Sequence, residues 1–484
     1  MNKGLINNKQ TNFANWYREL VVKGQLIEYY DVKGCYVLLP DGYTVWDNIR
    51  NYLDKEFKKR DVENYYFPLF VTKENLQKEE KHLEGFKAEV AWIQNKEKEE
   101  DDDSNKEENN IAIRPTSECI ICPVMSNMIR SHNDLPKKVN QWANVVRMEF
   151  KETVPFIRSK EFLWQEGHTF YSDRNGAEEE VYDIIKLYKS VYQNLLAVPV
   201  VMGKKTKSET FAGAEYTYTI EGYIPEAQKG IQCATSHFLG KTFTTMFDVK
   251  YFSNKMTNEY CFYNSWGFTT RSIGVMVQTH SDNKGLVFPP KIAPIHIVII
   301  PIFKKNNKDK VCNFSKELHK KLSEKFTVKL DLSNGTPGSK YNHWELKGVP
   351  LRFEVGEKEI DNNTFTVVRR DTGEKININN LEEVEILLNK MQKEMFDSAY
   401  NKMMQKMKYV TNLDELQNIS KNNMILCNFC GSENCEEKIK NNYGIKSLCV
   451  PDDDKITVLN FNSSNHCIVC DLNTELLCLF SKSY

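Results

Sequence analysis

Two kinds of apolar pattern alternate in the second half of the chain. The runs IHIVIIPIF, FTVKLDL, PLRFEVG and TFTVVRR are short and typical of strands, whereas residues 311–326 and 381–407 carry apolar side chains at helical spacing. Short strands that alternate with helices predict a compact α/β domain. We expect this domain to end with the long helix near residue 408.

The region before this domain mixes aromatic-rich strands with helices. It is interrupted at 95–110 by NKEKEEDDDSNKEENN, which has almost no apolar residues and is predicted to be a solvated insertion. The turn-forming sequence VFPPKIAP closes the region near residue 290. The pattern therefore divides the chain into three predicted units, which span 1–290, 291–408 and 409–484.

One strand–loop–strand pattern carries charged residues on an apolar ribbon. It runs from Asn144 to His168 with the sequence NVVRMEFKETVPFIRSKEFLWQEGH. Residues i and i+2 of a strand point to the same face, so Arg147 and Glu149 are predicted to lie side by side. They form either a cross-strand ion pair or part of a binding site.

Two predicted helix starts also carry polar or charged residues that could either stabilise the helix or bind a ligand. In IRPTSECIICPVMSNMIRSH (113–132), Thr116 or Ser117 is placed to cap a helix, and Glu118 suits its first turn. In SWGFTTRSIGVMVQTH (265–280), a helix is predicted to begin after Thr269 or the next threonine, which places Arg271 in the first turn. A cation there opposes the helix dipole at a cost of ~0.3–1 kcal/mol, which indicates either a bound anion or a neighbouring carboxylate.

The sequence contains no standard phosphate-binding loop. LGKT (239–242) resembles the end of one, but the required glycine is replaced by Thr235. The same stretch, GIQCATSHFLG, also places Gln232 and His237 among small apolar residues, where a lone histidine is usually structural. Any ATP site must therefore be built on another scaffold.

Composition and charge narrow the class of protein. The 484 residues are 40% hydrophobic and 27% charged, with a formal net charge of -1, so no strong overall field favours nucleic acid. No apolar run approaches the ~18 residues of a membrane span, and the N-terminal sequence lacks the apolar core of a secretory signal. We expect a cytoplasmic protein that does not contact a membrane.

Seven of the 13 cysteines follow Met424. Such clustering in a reducing compartment predicts a metal site rather than disulfides. Spacing alone favours a four-thiolate zinc site with Cys427 and Cys430 as one pair and Cys467 and Cys470 as the other.

Together these stretches resemble the class II aminoacyl-tRNA synthetases, and within them the prolyl-tRNA synthetases of the eukaryotic and archaeal type. YYFPLF resembles motif 1 of the class, VVRMEF with EFLWQEGH resembles motif 2, and GFTTRSIG resembles motif 3. RPTSE, EGFKAEVAW, QCATSHFLG, NHWELKGVPLRFEVG and the terminal SY resemble the prolyl subgroup. The resemblance implies an α+β fold: a catalytic domain with an antiparallel sheet, an α/β anticodon-binding domain and a small zinc-binding C-terminal domain.

The resemblance also implies roles for individual residues. Arg147 would bridge the α-phosphate of ATP and the prolyl carboxylate, and Arg271 would meet the distal phosphates, which makes these two the implied catalytic residues. The other residues implied at ATP are Glu149, Arg158, Ser159, Gln232, Thr235 and Thr269, with Gln232 also beside Mg²⁺. The residues implied at proline are Thr116, Ser117, Glu118, Arg147, Trp164 and His237, with Phe86 as an apolar wall.

The later domains carry further implied sites. The candidates for reading anticodon bases are Glu345, Lys347, Arg369 and Arg370, with charges on a solvated face as the alternative. For zinc, the family pattern uses Cys430, Cys435, Cys467 and Cys470, and we follow it over spacing alone. Residues 424–484 have few apolar residues per turn, so we expect the metal to supply folding free energy there. The family pattern also places the carboxylate of Tyr484 near the active site.

The implied protein is a homodimeric ATP-dependent ligase that uses Mg²⁺ and structural zinc. It would activate L-proline with ATP and transfer it to the terminal ribose hydroxyl of tRNA(Pro). One alternative is a synthetase-like RNA-binding or regulatory protein without catalysis, against which the retained charged residues argue. The other is a class II ligase for threonine, serine or glycine.

Overall fold

The structure is a computed structural model that describes residues 4–82, 90–93, 110–452 and 465–484. The helices of these residues are α1 (Phe13–Lys23), α2 (Pro40–Lys58), α3 (Lys73–His82), α4 (Glu118–Met128), α5 (Arg174–Ser190), α6 (Thr242–Met246), α7 (Arg271–His280), α8 (Lys308–Leu322), α9 (Pro337–Lys347), α10 (Glu357–Asn362), α11 (Glu383–Gln405), α12 (Leu413–Ile419) and α13 (Glu433–Tyr443).

The strands of the same residues are β1 (Ile27–Tyr29), β2 (Tyr36–Leu38), β3 (Glu63–Asn64), β4 (Phe70–Thr72), β5 (Ala91–Trp92), β6 (Ile111–Ile113), β7 (Lys137–Val146), β8 (Glu161–Tyr171), β9 (Val201–Lys204), β10 (Tyr216–Ile224), β11 (Lys229–Gly240), β12 (Lys250–Phe252), β13 (Asn258–Tyr260), β14 (Phe262–Thr269), β15 (Ile297–Pro301), β16 (Val328–Leu330), β17 (Leu351–Val355), β18 (Phe365–Arg369), β19 (Lys375–Ile378), β20 (Met407–Tyr409), β21 (Met424–Asn428), β22 (Lys446–Pro451) and β23 (Leu477–Ser481).

The main sheet joins eleven described strands in the order β20-β21-β23-β22-β9-β10-β11-β14-β8-β7-β3. Its central strands, from β22 to β7, pair antiparallel throughout. Long helices cover one face, where Trp16, Ile49, Tyr188 and Ile273 belong to the largest apolar core. The opposite face carries a second apolar core, in which Phe170 and Tyr263 pack with Ile121 of α4, and the predicted antiparallel catalytic sheet is confirmed.

The α/β domain is built on a second sheet of five described strands, in the order β16-β15-β17-β18-β19. Strand β15 pairs parallel to both of its neighbours. All five of its residues are buried because helices pack on both sides, as expected for a central parallel strand. The predicted helices at 311–326 and 381–407 correspond to α8 and α11.

The C-terminal residues extend the main sheet rather than forming a sheet of their own. Strand β22 pairs antiparallel with β9 of the catalytic region, and β23 and β21 follow outward. Phe429, Ile439 and Phe480 are among the residues of a buried apolar cluster in this part. This part therefore has an apolar cluster of its own, and the contribution of zinc to its folding stays a prediction.

Two sequence expectations fall outside the described residues. The charged insertion at 95–110 lies outside them except for its last residue, and Phe86 lies outside them as well. Among the described residues, no helix combines the length and apolar character that crossing a membrane requires.

Candidate active site

A cavity opens on the main sheet over β8, β11 and β14. Trp164, Glu166 and His168 alternate along β8 and therefore share the face that lines it. The other lining residues come from the neighbouring strands, the helix starts and the loop after β7: Thr116, Glu118, Arg147, Phe150, Phe156, Ile157, Ser159, Phe162, Phe211, Gln232, Cys233, Ala234, Thr235, His237, Ser265, Trp266, Gly267, Thr269 and Arg271.

A missing side chain on the helical face of the sheet makes room for a tryptophan behind this cavity. Gly167 on β8 lies opposite Trp266 on β14. A Cβ atom at Gly167 would lie 2.1 Å from the Trp266 ring, so any other residue would displace the indole. Trp266 is 1% exposed and also packs against Phe57, which ties the sheet behind the cavity to the helical core.

Two arginines converge on the cavity from different elements. The Arg147 Nε donates to the Pro115 carbonyl (3.0 Å), and its guanidinium lies 5.5 Å from the ring centres of both Phe162 and Trp164. The Arg271 Nε donates to the Ile157 carbonyl at 3.2 Å, and its Nη1 donates to the Gln232 carbonyl at 3.1 Å.

The electrostatics of this pair suit an anionic ligand. Burial lowers the pKa of the Arg271 guanidinium, and the neighbouring Arg147 cation lowers it further. Arg271 is also the first residue of α7, as the sequence predicts, with Thr270 at the N-cap. An anion in the cavity would relieve both the repulsion between the guanidiniums and the conflict with the helix dipole.

The strand prediction around Arg147 needs a correction. Strand β7 ends at Val146, so Arg147 and Glu149 follow it rather than sharing a strand face. The Arg147 amide still donates to the Lys160 carbonyl at 2.7 Å, which holds its side chain over the cavity. Glu149 is exposed and does not line the cavity in the described structure.

Acidic and neutral polar groups line the same cavity. Glu118 and Glu166 are 4% and 2% exposed, and the Thr116 hydroxyl donates to the Glu118 carboxylate. His237 bonds to Thr217 and Thr235 through its two ring nitrogens, at 2.8 and 3.0 Å. Burial lowers the pKa of His237 to about 3, so the ring is neutral at physiological pH.

The structure thus brings ten of the predicted proline and ATP residues to one cavity: Thr116, Glu118, Arg147, Ser159, Trp164, Gln232, Thr235, His237, Thr269 and Arg271. Ser117 is at the N-cap of α4 but makes no capping bond, because its hydroxyl donates to Glu166 Oε1 (2.5 Å). Arg158 lines a neighbouring cleft that also contains Arg18 and Lys33.

Sequence reasoning missed several lining residues. Glu166 and His168 follow Trp164 at strand spacing, so the period of two could have found them. Ser265 precedes Thr269 by four residues on β14 in the same way, and its buried hydroxyl has no hydrogen-bond partner in the described protein. Phe211 lies in a loop and carries no such periodic signal; its ring centre is 4.6 Å from that of His237.

Four cysteines meet in the C-terminal part. The Sγ atoms of Cys430, Cys435, Cys467 and Cys470 all lie within 4.8 Å of one another. The Cys430 and Cys470 sulfurs are 3.8 Å apart, the separation expected of two thiolates ~2.3 Å from a tetrahedral zinc ion. Burial would raise the pKa of Cys467, but amide N–H groups, including those of Val469 and Cys470, lower it to about 7.

Cys427 takes a different position. It lies within β21 opposite Cys478, is 1% exposed and belongs to the apolar core. Burial raises the pKa of its thiol, as expected for a structural cysteine. The geometry therefore agrees with the family pattern rather than with the two-residue spacing.

The predicted anticodon-reading residues have partners inside the protein. Arg370 makes two bonds to Asp282 (2.7 and 2.8 Å), and Lys347 lies 2.5 Å from Asp41. Arg369 is 1% exposed and pairs with Asp371 and Glu394. Glu345 pairs with Arg352 at 2.9 Å. The roles of Glu345, Lys347, Arg369 and Arg370 at the anticodon stay predictions.

Comparison with known families matches three consecutive parts of the chain. Residues 98–280 match the tRNA synthetase class II core domain (G, H, P, S and T), and residues 296–390 match the anticodon binding domain. Residues 413–484 match the prolyl-tRNA synthetase C-terminal domain.

Individual relatives are similar in sequence to this chain along nearly its full length. The chain is 43% identical to the cytoplasmic proline–tRNA ligase of Arabidopsis thaliana, over 93% of the chain and 86% of that protein. It is 40% identical to the bifunctional glutamate/proline–tRNA ligase of Mus musculus over 99% of the chain, but spans only about a third of the length of such bifunctional relatives. The prolyl-tRNA synthetase of Cryptosporidium parvum, solved with L-proline and AMP, matches with a TM-score of 0.91 and 42% identity, covering 100% and 98% of the two chains.

Proposed function

Because the chain belongs to the prolyl-tRNA synthetases, a family of class II aminoacyl-tRNA synthetases, we propose that it activates L-proline with ATP and transfers it to tRNA(Pro). The observation that carries this proposal is the cavity that brings Arg147 and Arg271 together with Glu118 and Glu166. Such a cavity can hold a zwitterion beside a polyphosphate.

The first step requires little covalent chemistry from the protein. The prolyl carboxylate attacks the α-phosphorus, a new P–O bond forms, and pyrophosphate leaves with the electron pair of the broken bond. A carboxylate is already a nucleophile, so the site needs positioning and charge neutralisation rather than a general base. Arg147 is placed to neutralise both reacting anions with one guanidinium fork.

The amino acid is recognised by the acidic groups of the cavity. A protonated secondary amine needs acceptors, and the Glu118 and Glu166 carboxylates supply them. His237 stays neutral and therefore does not repel the ammonium group. Trp164 and Phe211 supply apolar surface for the pyrrolidine ring. We keep the roles implied for Glu149 and Arg158 at ATP and for Ser117 and Phe86 at proline. A structure with both ligands bound would test them.

We propose two metal ions with different roles. Gln232 is exposed at the cavity and offers an amide oxygen, which fits Mg²⁺, an ion held mainly by phosphates and water. The four clustered cysteines offer a closed sulfur set that fits Zn²⁺ in a structural role. Zinc there would fix the orientation of α13 against β21.

We also propose a homodimer in the cytoplasm. Tyr66, Phe70 and Trp92 are 79%, 53% and 45% exposed around the predicted motif 1, which gives an apolar surface for a second copy. Sedimentation at micromolar concentration tests this assembly. The cytoplasmic location rests on the name of the Arabidopsis relative.

ATP–pyrophosphate exchange tests the function directly. Proline, threonine, serine and glycine are supplied separately, and we expect exchange to be driven by proline. Exchange driven by another of these amino acids would make the substrate assignment wrong, and no exchange with any of them would favour the non-catalytic alternative. Charging of tRNA(Pro) with labelled proline tests the second step.

A further inference from the structure

Gln141 is a fully buried amide behind the cavity, not in its wall. It lies on β7 opposite Glu166 of β8 in the strand register, and it is 0% exposed. Its Nε2 donates to Glu166 Oε1 at 2.6 Å and to the Ser117 hydroxyl at 2.8 Å. Because Ser117 in turn donates to the same Oε1, one carboxylate oxygen is held by two donors.

The other end of the amide faces donors only. Gln141 Oε1 accepts from the Phe67 amide at 3.2 Å and from Arg114 Nη1 at 3.4 Å. Arg114 is 1% exposed and is itself held by the Phe67 and Pro68 carbonyls. The Gln141 amide therefore bridges a buried cation and a buried carboxylate, and only one orientation of the amide satisfies both.

This arrangement leaves the second oxygen of Glu166 for the cavity side. Glu166 Oε2 lies 3.1 Å from His168 Nε2, and both residues line the cavity. With Oε1 fixed by Ser117 and Gln141, the carboxylate cannot rotate without losing two hydrogen bonds in a desolvated setting. We propose that Gln141 is a positioning residue that aims Glu166 at the ammonium group of the amino-acid substrate.

The inference rests on the proposed function, and it links that function to the predicted subunit interface. Phe67 lies in YYFPLF, the segment that resembles motif 1. A shift of this segment changes the acceptor end of the Gln141 amide and, through it, the Glu166 carboxylate. Recognition of the amino acid then depends on the position of the YYFPLF segment.

The test measures the KM values of proline and ATP separately in pyrophosphate exchange. Gln141→Met keeps the volume but removes both hydrogen-bonding ends, and we expect the KM of proline to rise about tenfold or more while that of ATP changes less than about twofold. Gln165→Met is the matched control, since Gln165 is equally buried on β8 but points to the opposite face, where it bonds to Tyr188. We expect it to leave the KM of proline within about twofold of wild type.

A second variant gives a readout that a merely structural role would not move. Gln141→Glu keeps the shape but places a carboxylate beside Glu166, and the two cannot both stay ionised at low cost. Protonation of the new side chain restores a donor to Oε1. The KM of proline for this variant should therefore fall toward the wild-type value between about pH 8 and about pH 6.

Several outcomes would overturn the role of Gln141. They are an unchanged proline KM in Gln141→Met, an equal rise in the KM of ATP, an equal effect in Gln165→Met, or a proline KM in Gln141→Glu that follows the wild-type pH profile. If Gln141→Met does not fold, Gln141→Glu alone decides the question. Absence of proline-dependent exchange in the wild type would instead contradict the proposed function itself.

Discussion

At the scale of single residues, Arg147 is the side chain on which the proposed chemistry depends most directly. Aromatic rings and one carbonyl hold its guanidinium over the cavity, while no carboxylate in the described structure pairs with it. We predict that Arg147→Ala abolishes adenylation, because loss of a charged partner in a desolvated site costs ~2–5 kcal/mol. Exchange kinetics measure the loss, and circular dichroism checks the fold.

A surface arginine supplies the control. Arg130 lies outside the cavity, and among the described residues its Nε bonds only to a carbonyl of its own segment, that of Asn127, at 3.4 Å. Arg130→Ala should keep normal proline-dependent exchange. Near-normal exchange by a folded Arg147→Ala variant would show that the guanidinium does not contact the reacting anions.

His280 predicts a pH dependence of stability. Its Nε2 bonds to the Leu196 carbonyl at 3.0 Å, and burial lowers the pKa of the imidazole to about 4, against 6.5 for a free histidine. Between these values the unfolded chain binds a proton that the folded chain does not, so stability falls as the pH drops from 6.5 to about 4 and changes no further below that. The loss has an upper limit of about 3 kcal/mol.

The matched variant is His280→Gln, which keeps an N–H donor for Leu196 but does not titrate. Urea unfolding at several pH values should show the wild type losing stability relative to this variant as the solution is acidified. Parallel curves for the two proteins between pH 6.5 and 4 would mean that folding does not lower the pKa of His280.

These residues also show how far sequence reasoning reaches at this scale. Residue type and a period of two singled out Arg147, because strand alternation fixes which side chains share a face. Trp164 and His237 were nominated only by the resemblance to the synthetase family. Glu149 was assigned to the same strand, but β7 ends at Val146, and no local signal in VVRMEF marks that end. The sequence places Thr116 or Ser117 to cap α4, but a buried carboxylate more than 40 residues away in sequence takes the Ser117 hydroxyl.

At the scale of elements, the cysteines show why spacing alone misleads. A two-residue spacing is compatible with a zinc knuckle only if both cysteines lie in a turn. Cys427 lies inside β21 and points into the core, whereas Cys430 follows the strand and Cys435 lies in the first turn of α13. The partner pair, Cys467 and Cys470, does fit the spacing, since both lie in one turn.

We predict that Cys435→Ser loses the bound zinc and that Cys427→Ser retains it. Metal analysis of the purified proteins gives the occupancy, and limited proteolysis reports whether α13 loosens. Glu436, next to Cys435, bonds to Thr206 at 3.0 Å, so loosening should reach the end of β9. Zinc lost from Cys427→Ser but kept in Cys435→Ser would reverse the ligand assignment.

At the scale of the whole molecule, contacts between distant segments determine how the parts are joined. The Lys205 Nζ lies 2.8 Å from the buried Glu221 and also donates to the Leu448 carbonyl of the C-terminal part. The Tyr484 amide donates to Gly230, two residues before Gln232 of the cavity. Sequence could divide the chain into units by composition, but it could not show that β22 pairs with β9, because edge-strand pairing leaves no local pattern.

Two charged contacts join the α/β domain to the catalytic body, beside the hydrogen bonds from Gln392 to the Asn194 and Leu195 carbonyls. Arg370 makes a bidentate salt bridge to Asp282. Lys347 pairs with Asp41 and also donates to the Gln25 side chain at 2.9 Å. Both acidic partners belong to the catalytic body. These contacts give Lys347 and Arg370 a positioning role that is separable from any contact with RNA.

We predict that Asp282→Asn lowers tRNA(Pro) charging more than it lowers pyrophosphate exchange. The substitution keeps the shape but removes the charge that holds Arg370, so the two domains should lose their fixed orientation, with a roughly three- to tenfold loss in charging. Exchange should stay near normal, because Asp282 does not line the cavity.

Asp248→Asn is the control, since Asp248 pairs with Lys250 at 2.6 Å within the catalytic body. If Asp282→Asn reduces exchange and charging equally, the contact supports the catalytic fold rather than the orientation of the domains, and if it reduces neither, other contacts suffice to hold them.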